Sequence, residues 1–102
     1  MANKMFRFNE DGVAEWVIAE SREQAIECYQ KVTGGIMNEN FEEEKEMDQN
    51  LTWETFVDGY VHEEDPDKVF TMHYEYSVET KTVREFADEA DEVPSYFACQ
   101  NY

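Results

Sequence analysis

The sequence predicts an α+β fold: a small antiparallel sheet of three or four strands with an N-terminal β-hairpin and two main helices. Three observations carry that expectation. A hairpin pattern opens the chain, two capping boxes each precede a run of helical period, and one stretch of strict alternation lies between them. With 102 residues, 41% hydrophobic and 15% aromatic, the chain supports one core and is read as a single domain over 1–102. A mean hydropathy of -0.80 and a net charge of -17 lean toward disorder. Seven Phe, six Tyr and two Trp supply the large apolar bodies that outweigh it.

In the hairpin, Phe6 and Phe8 alternate with Met5, Arg7 and Asn9, and Asp11-Gly12 supplies the turn. Val13 to Ala19 then continues extended, with Ala14, Trp16 and Ile18 on one face. Ser21 and Gln24 form the first capping box, and the helix after it buries a stripe of Ala25, Ile26, Tyr29 and Val32 until Gly34-Gly35 stops it. Residues 38–50 hold six acids, one base and only Phe41 and Met47 as large apolar residues, which reads as an acidic loop or a weakly anchored helix. Thr52 to Val57 fits a short capped helix or a strand equally well, and Gly59 with the run 62–67 marks a second acidic turn. Lys68 to Ser77 reads as a strand whose face of Phe70, Met72, Tyr74 and Tyr76 lies against the sheet core. Thr82 and Glu85 form the second capping box, opening a helix in which Val83, Phe86, Ala87, Ala90 and Val93 recur at helical spacing until Pro94. Ser95 to Tyr102 closes the chain as a strand or an irregular tail. Trp16, Ile18, Ile26, Tyr29, Phe70, Met72, Tyr74 and Phe86 are the expected core.

The residues that carry catalysis are scarce. His62 sits in an acidic turn and His73 in a strand, and neither belongs to a zinc-protease motif or a ligand cluster. No nucleophile elbow and no glycine-rich phosphate loop is present, with four glycines in all. Cys28 and Cys99 lie far apart and form no C-x-x-C, so they read as two reduced thiols and not as a metal or redox pair. The acids at 63–67 lack the central Gly and terminal Glu of a calcium loop and carry Pro66 where freedom is needed. A non-enzymatic protein without cofactor or metal is the expectation. No secretory signal and no apolar run of membrane-spanning length appears, so the expected location is cytoplasmic, and the Asn50-Leu51-Thr52 sequon is accidental.

Charge placement is the informative signal. Residues 1–38 carry six acids against four bases, whereas residues 39–102 carry nineteen acids against four bases. Such an excess repels nucleic acid and anionic membranes and speeds association with basic surfaces. The acids fall in three clusters: Glu42, Glu43, Glu44, Glu46 and Asp48; Glu63, Glu64, Asp65 and Asp67; and Glu85, Asp88, Glu89, Asp91 and Glu92. In the third, Glu85, Asp88, Glu89 and Glu92 share one face of the expected helix, with neighbours about 5–6 Å apart. A carboxylate row of that kind can occupy an Arg/Lys groove built for phosphates.

Small size, an isoelectric point near 4.2, clustered acids and the hairpin-helix-strand-helix layout together resemble the small acidic inhibitors of phages and mobile elements, the anti-CRISPR and DNA-mimicking anti-restriction proteins. The resemblance implies a stoichiometric inhibitor acting in a bacterial host cell. Its partner would be a basic, nucleic-acid-handling surface of a defence nuclease such as a Cas9-type CRISPR effector, with no direct contact to nucleic acid or membrane. Two competing readings remain open: an interaction protein forming a homo-oligomer through exposed aromatics such as Trp53, Phe56, Tyr60 and Tyr96, and a fold stabilised by a divalent cation.

Overall fold

Alternation in the first strand sends Phe6 and Phe8 to one side and Met5 and Arg7 to the other, and the partner strand repeats the pattern with Val17 and Ala19 against Trp16 and Ile18. In the computed structural model, which describes residues 3–10 and 12–99, these segments are β1 (Lys4–Glu10) and β2 (Val13–Ala19), paired antiparallel from Lys4 opposite Ala19 to Glu10 opposite Val13. Gly12 takes φ 81°, the left-handed turn conformation that glycine adopts without strain. Asp11, the other expected turn residue, lies outside the described residues.

Three helices follow. In α1 (Arg22–Thr33) the Ser21 hydroxyl accepts the Gln24 amide at 3.2 Å, while the Gln24 side chain accepts from the Glu20 amide at 2.7 Å. Gly34 ends it at φ 72°, and Gly35 at φ 89° starts α2 (Ile36–Met47) at once. Thr52 caps α3 (Trp53–Tyr60), its hydroxyl accepting the Thr55 amide, so this segment is helix and not strand. The chain then forms β3 (Val61–Glu63), the hairpin of β4 (Val69–His73) and β5 (Val78–Thr82), α4 (Val83–Asp88) and β6 (Ser95–Cys99). Residues 100–102, the end of the expected closing segment, lie outside the described residues.

The main sheet is antiparallel in the order β3-β1-β2-β6, and β4-β5 is a separate two-stranded ladder. Both faces of the main sheet are covered. Phe6, Phe8, Val17 and Ala19 pack on one side with Ala25, Tyr29, Met37, Phe56, Val57 and Tyr60 from α1, α2 and α3. Met5 and Ile18 pack on the other with Val83, Phe86 and Ala87 of α4, and Phe70, Met72 and Phe97 close that second core.

Ile18, Tyr29 and Phe86 are buried as expected, but Trp16, Ile26, Phe70 and Met72 are half-buried and Tyr74 is 49% exposed. The long strand expected to run to Ser77 stops at His73, because Tyr74 to Ser77 is the hairpin turn, closed by the Tyr74 amide donating to the Ser77 carbonyl at 2.8 Å. That turn contains no Gly, Pro or Asn, so the sequence does not announce it. The helix expected to reach Val93 stops at Asp88. Continuing it would set Asp88, Glu89, Asp91 and Glu92 at the negative end of the helix dipole, with no base in the last turn to offset them.

Candidate functional site

The helical turn of α2 places Glu39, Glu42, Glu43 and Glu46 at i, i+3, i+4 and i+7, opposite the side that carries buried Met37 and half-buried Phe41. All four are exposed. The same-face carboxylate row that the sequence suggests for 85–92 is therefore formed here, and Glu39 was not among the expected residues. Its signal was the same spacing, hidden because Gly34-Gly35 reads as the end of helical structure and not as a joint between two helices. Among the described residues, no ion pair includes an acid between Glu39 and Asp48. The one base of the helix, Lys45, is used otherwise: its ammonium donates to the Leu51 carbonyl at 3.1 Å and lies 5.5 Å from the Phe41 ring centroid. Phe41 anchors the helix, with ring centroids 5.3 Å from Trp53 and 5.4 Å from Phe56.

The other two acidic clusters converge in space and are largely consumed there. The Arg84 amide donates to the Pro66 carbonyl and Val83 to Lys68, which lays the start of α4 against the 63–67 turn. Glu64 is a correction to the expected exposed set, since it is 7% exposed. Its amide donates to the Met5 carbonyl, extending the β1-β3 pairing, and this turns its carboxylate inward between Arg7 at 3.7 Å, Lys68 at 3.1 Å and the Trp16 indole N–H at 3.4 Å. Glu63 pairs with Lys4, Asp67 with Arg84, and Asp65 accepts the Asp67 amide. Glu85 accepts the Thr82 amide and hydroxyl in the capping box, and these bonds hold its carboxyl below the usual range. Glu89 shares Lys81 with Glu79, which raises the Lys81 ammonium. Asp88 is exposed, and Asp91 and Glu92 lie beyond the helix end, so the row of four expected on one helix face does not form.

Between α2 and α3 runs an open cleft of about 490 Å³, lined from α2 by Asn40, Glu43 and Glu44, from α3 by Thr55, Phe56, Gly59 and Tyr60, and also by Asn9 and Leu51. Beneath it a chain of hydrogen bonds crosses the protein. The Asn40 amide donates to the Tyr60 hydroxyl at 3.2 Å, which lies 3.4 Å from the Tyr29 hydroxyl; Tyr29 donates to one oxygen of Glu15, and Tyr96 donates to the other at 2.9 Å. Burial, then the bond to Glu15, pushes the Tyr29 phenol far up, and burial also raises Tyr60. Phe56 and Tyr60 are therefore buried, and Trp53 and Tyr96 half-buried, so none of the four aromatics expected at an oligomer surface is exposed. The exposed large apolar residues instead include Val69, Tyr74, Tyr76 and Val78 of the β4-β5 hairpin.

Cys28 is a free, half-buried thiol whose pKa is raised by burial, the direction that disfavours the nucleophilic thiolate; the Cys99 side chain lies outside the described residues. Among the described residues, no group of three or more His, Cys, Asp and Glu side chains is placed to hold a metal ion, and no helix is long and apolar enough to cross a membrane. Comparison with family models, with characterised proteins and with solved structures gives no match.

Proposed function

We propose that the chain is a non-catalytic, stoichiometric inhibitor that binds a basic, nucleic-acid-handling protein surface, with α2 as the element that takes the place of phosphates. One observation carries this reading: four exposed carboxylates on one face of an anchored helix have no cationic partner among the described residues. Such neighbours weaken a free helix by a few tenths of a kcal/mol per pair. A cationic groove reverses that term, because each carboxylate then accepts charge-assisted hydrogen bonds. From Glu39 to Glu46 the row rises about 10 Å at 1.5 Å per residue, a length over which duplex DNA presents several phosphates.

The resemblance to phage-encoded inhibitors makes a Cas9-type effector in a bacterial cytoplasm the first target to assay. Titrating the protein into a guide-loaded nuclease should abolish cleavage at one equivalent, and raising the salt should restore it, because exposed attraction is screened beyond about 8 Å at physiological ionic strength. If the nuclease is untouched, capture from bacterial lysate at low and high salt widens the search. Failure to enrich any nucleic-acid enzyme in a salt-sensitive way overturns the reading.

A second reading has its own observation, the exposed Val69, Tyr74, Tyr76 and Val78 on the hairpin. It makes the chain self-associate, and sedimentation that shows a dimer strengthened by salt would favour it.

A further inference from the structure

The wall of the α2-α3 cleft contains a glycine that nothing inside the protein requires. Gly59 lies in the last turn of α3, its backbone outside the left-handed region, and a Cβ placed on it would meet no atom within 4 Å. Neither a special turn nor close packing explains the residue, and glycine loses more conformational freedom on folding than any other. What its absent side chain does is leave the cleft open. Opposite it, α2 presents Asn40, Glu43 and Glu44 at i, i+3 and i+4, and Phe56 and Tyr60 complete the wall from α3.

We propose that this cleft receives an arginine side chain of the partner, its guanidinium between the carboxylates of Glu43 and Glu44 and its plane toward the aromatic wall. The inference rests on the reading of α2 as the partner-facing element and names the group that element grips. Two features select guanidinium over ammonium. Two carboxylates and the Asn40 side chain offer acceptors spread around a slot, which suits five donors in a planar fork better than a point charge. Phe56 and Tyr60, 5% and 7% exposed, show the slot only a narrow strip of apolar ring, against which a flat guanidinium packs better than a strongly hydrated ammonium. Sequence offered no hint of the slot, since it joins residues from two helices and an internal glycine.

The test uses two probes of equal charge, a hexa-arginine and a hexa-lysine peptide, titrated into the full chain at low salt with amide chemical shifts and dissociation constants as readouts. The arginine peptide should bind at least about threefold tighter and shift the Asn40 and Gly59 amides most. Gly59→Leu, which fills the slot and changes no charge, should weaken the arginine peptide about tenfold and leave the lysine peptide unchanged. Glu43→Gln with Glu44→Gln should weaken it more than Glu42→Gln with Glu46→Gln, although both pairs remove the same charge, and this comparison decides the matter if Gly59→Leu unfolds. Equal losses for the two pairs, or an arginine peptide indifferent to a folded Gly59→Leu, overturns the slot while leaving α2 as a diffuse acidic surface. If neither peptide binds at low salt, the slot and the acidic-surface reading fall together.

Discussion

The acids of α2 and the acids between Glu63 and Glu92 look alike as composition and differ in almost every physical respect. In α2 the single lysine is turned away to a carbonyl and a ring, so its carboxylates face solvent without ion pairs among the described residues. In the second region Lys4, Arg7, Lys68, Lys81 and Arg84 each hold at least one carboxylate, and Glu64 is drawn inside. Acidic density along a chain thus says little about availability. What decides is whether the fold returns a base to an acid: among the described residues it does so at Glu63, Glu64, Asp67 and Glu89, and at none of the acids of α2.

The comparison can be broken by mutation, beginning with what holds the second region in place. Phe86→Ala should cost about 3–5 kcal/mol in denaturant unfolding, since the ring is enclosed among Phe70, Phe97 and the sheet; a loss under about 0.5 kcal/mol, the size of a surface change, would mean that α4 packs elsewhere. Glu64→Ala should cost about 1–3 kcal/mol, below the range for a fully buried pair because Arg7 and Lys68 are partly hydrated and can recover water. No loss there would make Glu64 an available acid after all.

Tyr29→Phe should cost about 1 kcal/mol by removing one donor from Glu15 while keeping the ring stacked on Phe8. It also tests a pH dependence. The folded phenol is raised and the unfolded one ionises near 10, so the stability is fully present below about pH 10 and is lost above it. Urea melts from pH 8 to 11 should show the wild type weakening above about pH 10 more steeply than the variant.

Smaller effects follow on the α2 side. Gly59→Ala should stabilise by about 0.5–1 kcal/mol, because the helical backbone is unstrained and the added methyl meets nothing. Reversing Glu42, Glu43 and Glu46 to Lys should change stability by less than about 0.5 kcal/mol and abolish partner binding. The same reversal at Glu63, Glu64 and Asp67 should unfold the protein or weaken it severely. Equal effects in the two regions, by thermal melt and by binding, would erase the distinction.

Much of the architecture was legible because local chemistry and fold agree. The first hairpin, the Ser21 cap, the complete capping box of Thr82 and Glu85 and the stop at Gly34 follow from residues adjacent in sequence, although Gln24 reaches back to the Glu20 amide and not to that of Ser21. The rest depends on contacts the chain makes with itself at long range. Alternation in β1 and β2 marks one face as core, yet the sheet is covered on both, so Met5 and Val17 are as buried as Phe8. The turn at Tyr74 to Ser77 lacks Gly, Pro and Asn, and its aromatics imitate a longer strand. At the candidate site, the acids could be counted in advance but their pairing could not. Glu64 is buried because a register places it beside Arg7 and Lys68, and Glu42 is exposed because Met37 and Phe41 claim the opposite side of α2.

Because β1 and β2 form the common wall of two separate cores, the molecule has a natural seam. On one side lie three helices and the larger core; on the other, a two-stranded ladder and a six-residue helix, neither of which forms stably alone. Detaching the smaller side would strip only one face of the sheet and leave α2 seated on Trp53 and Phe56. Local opening should therefore begin there, and amides of β4 and β5 should exchange with solvent faster than those of β1 and β2. The surface offered to a partner thus stands on the slow-exchanging half, where it survives excursions that briefly dismantle the other.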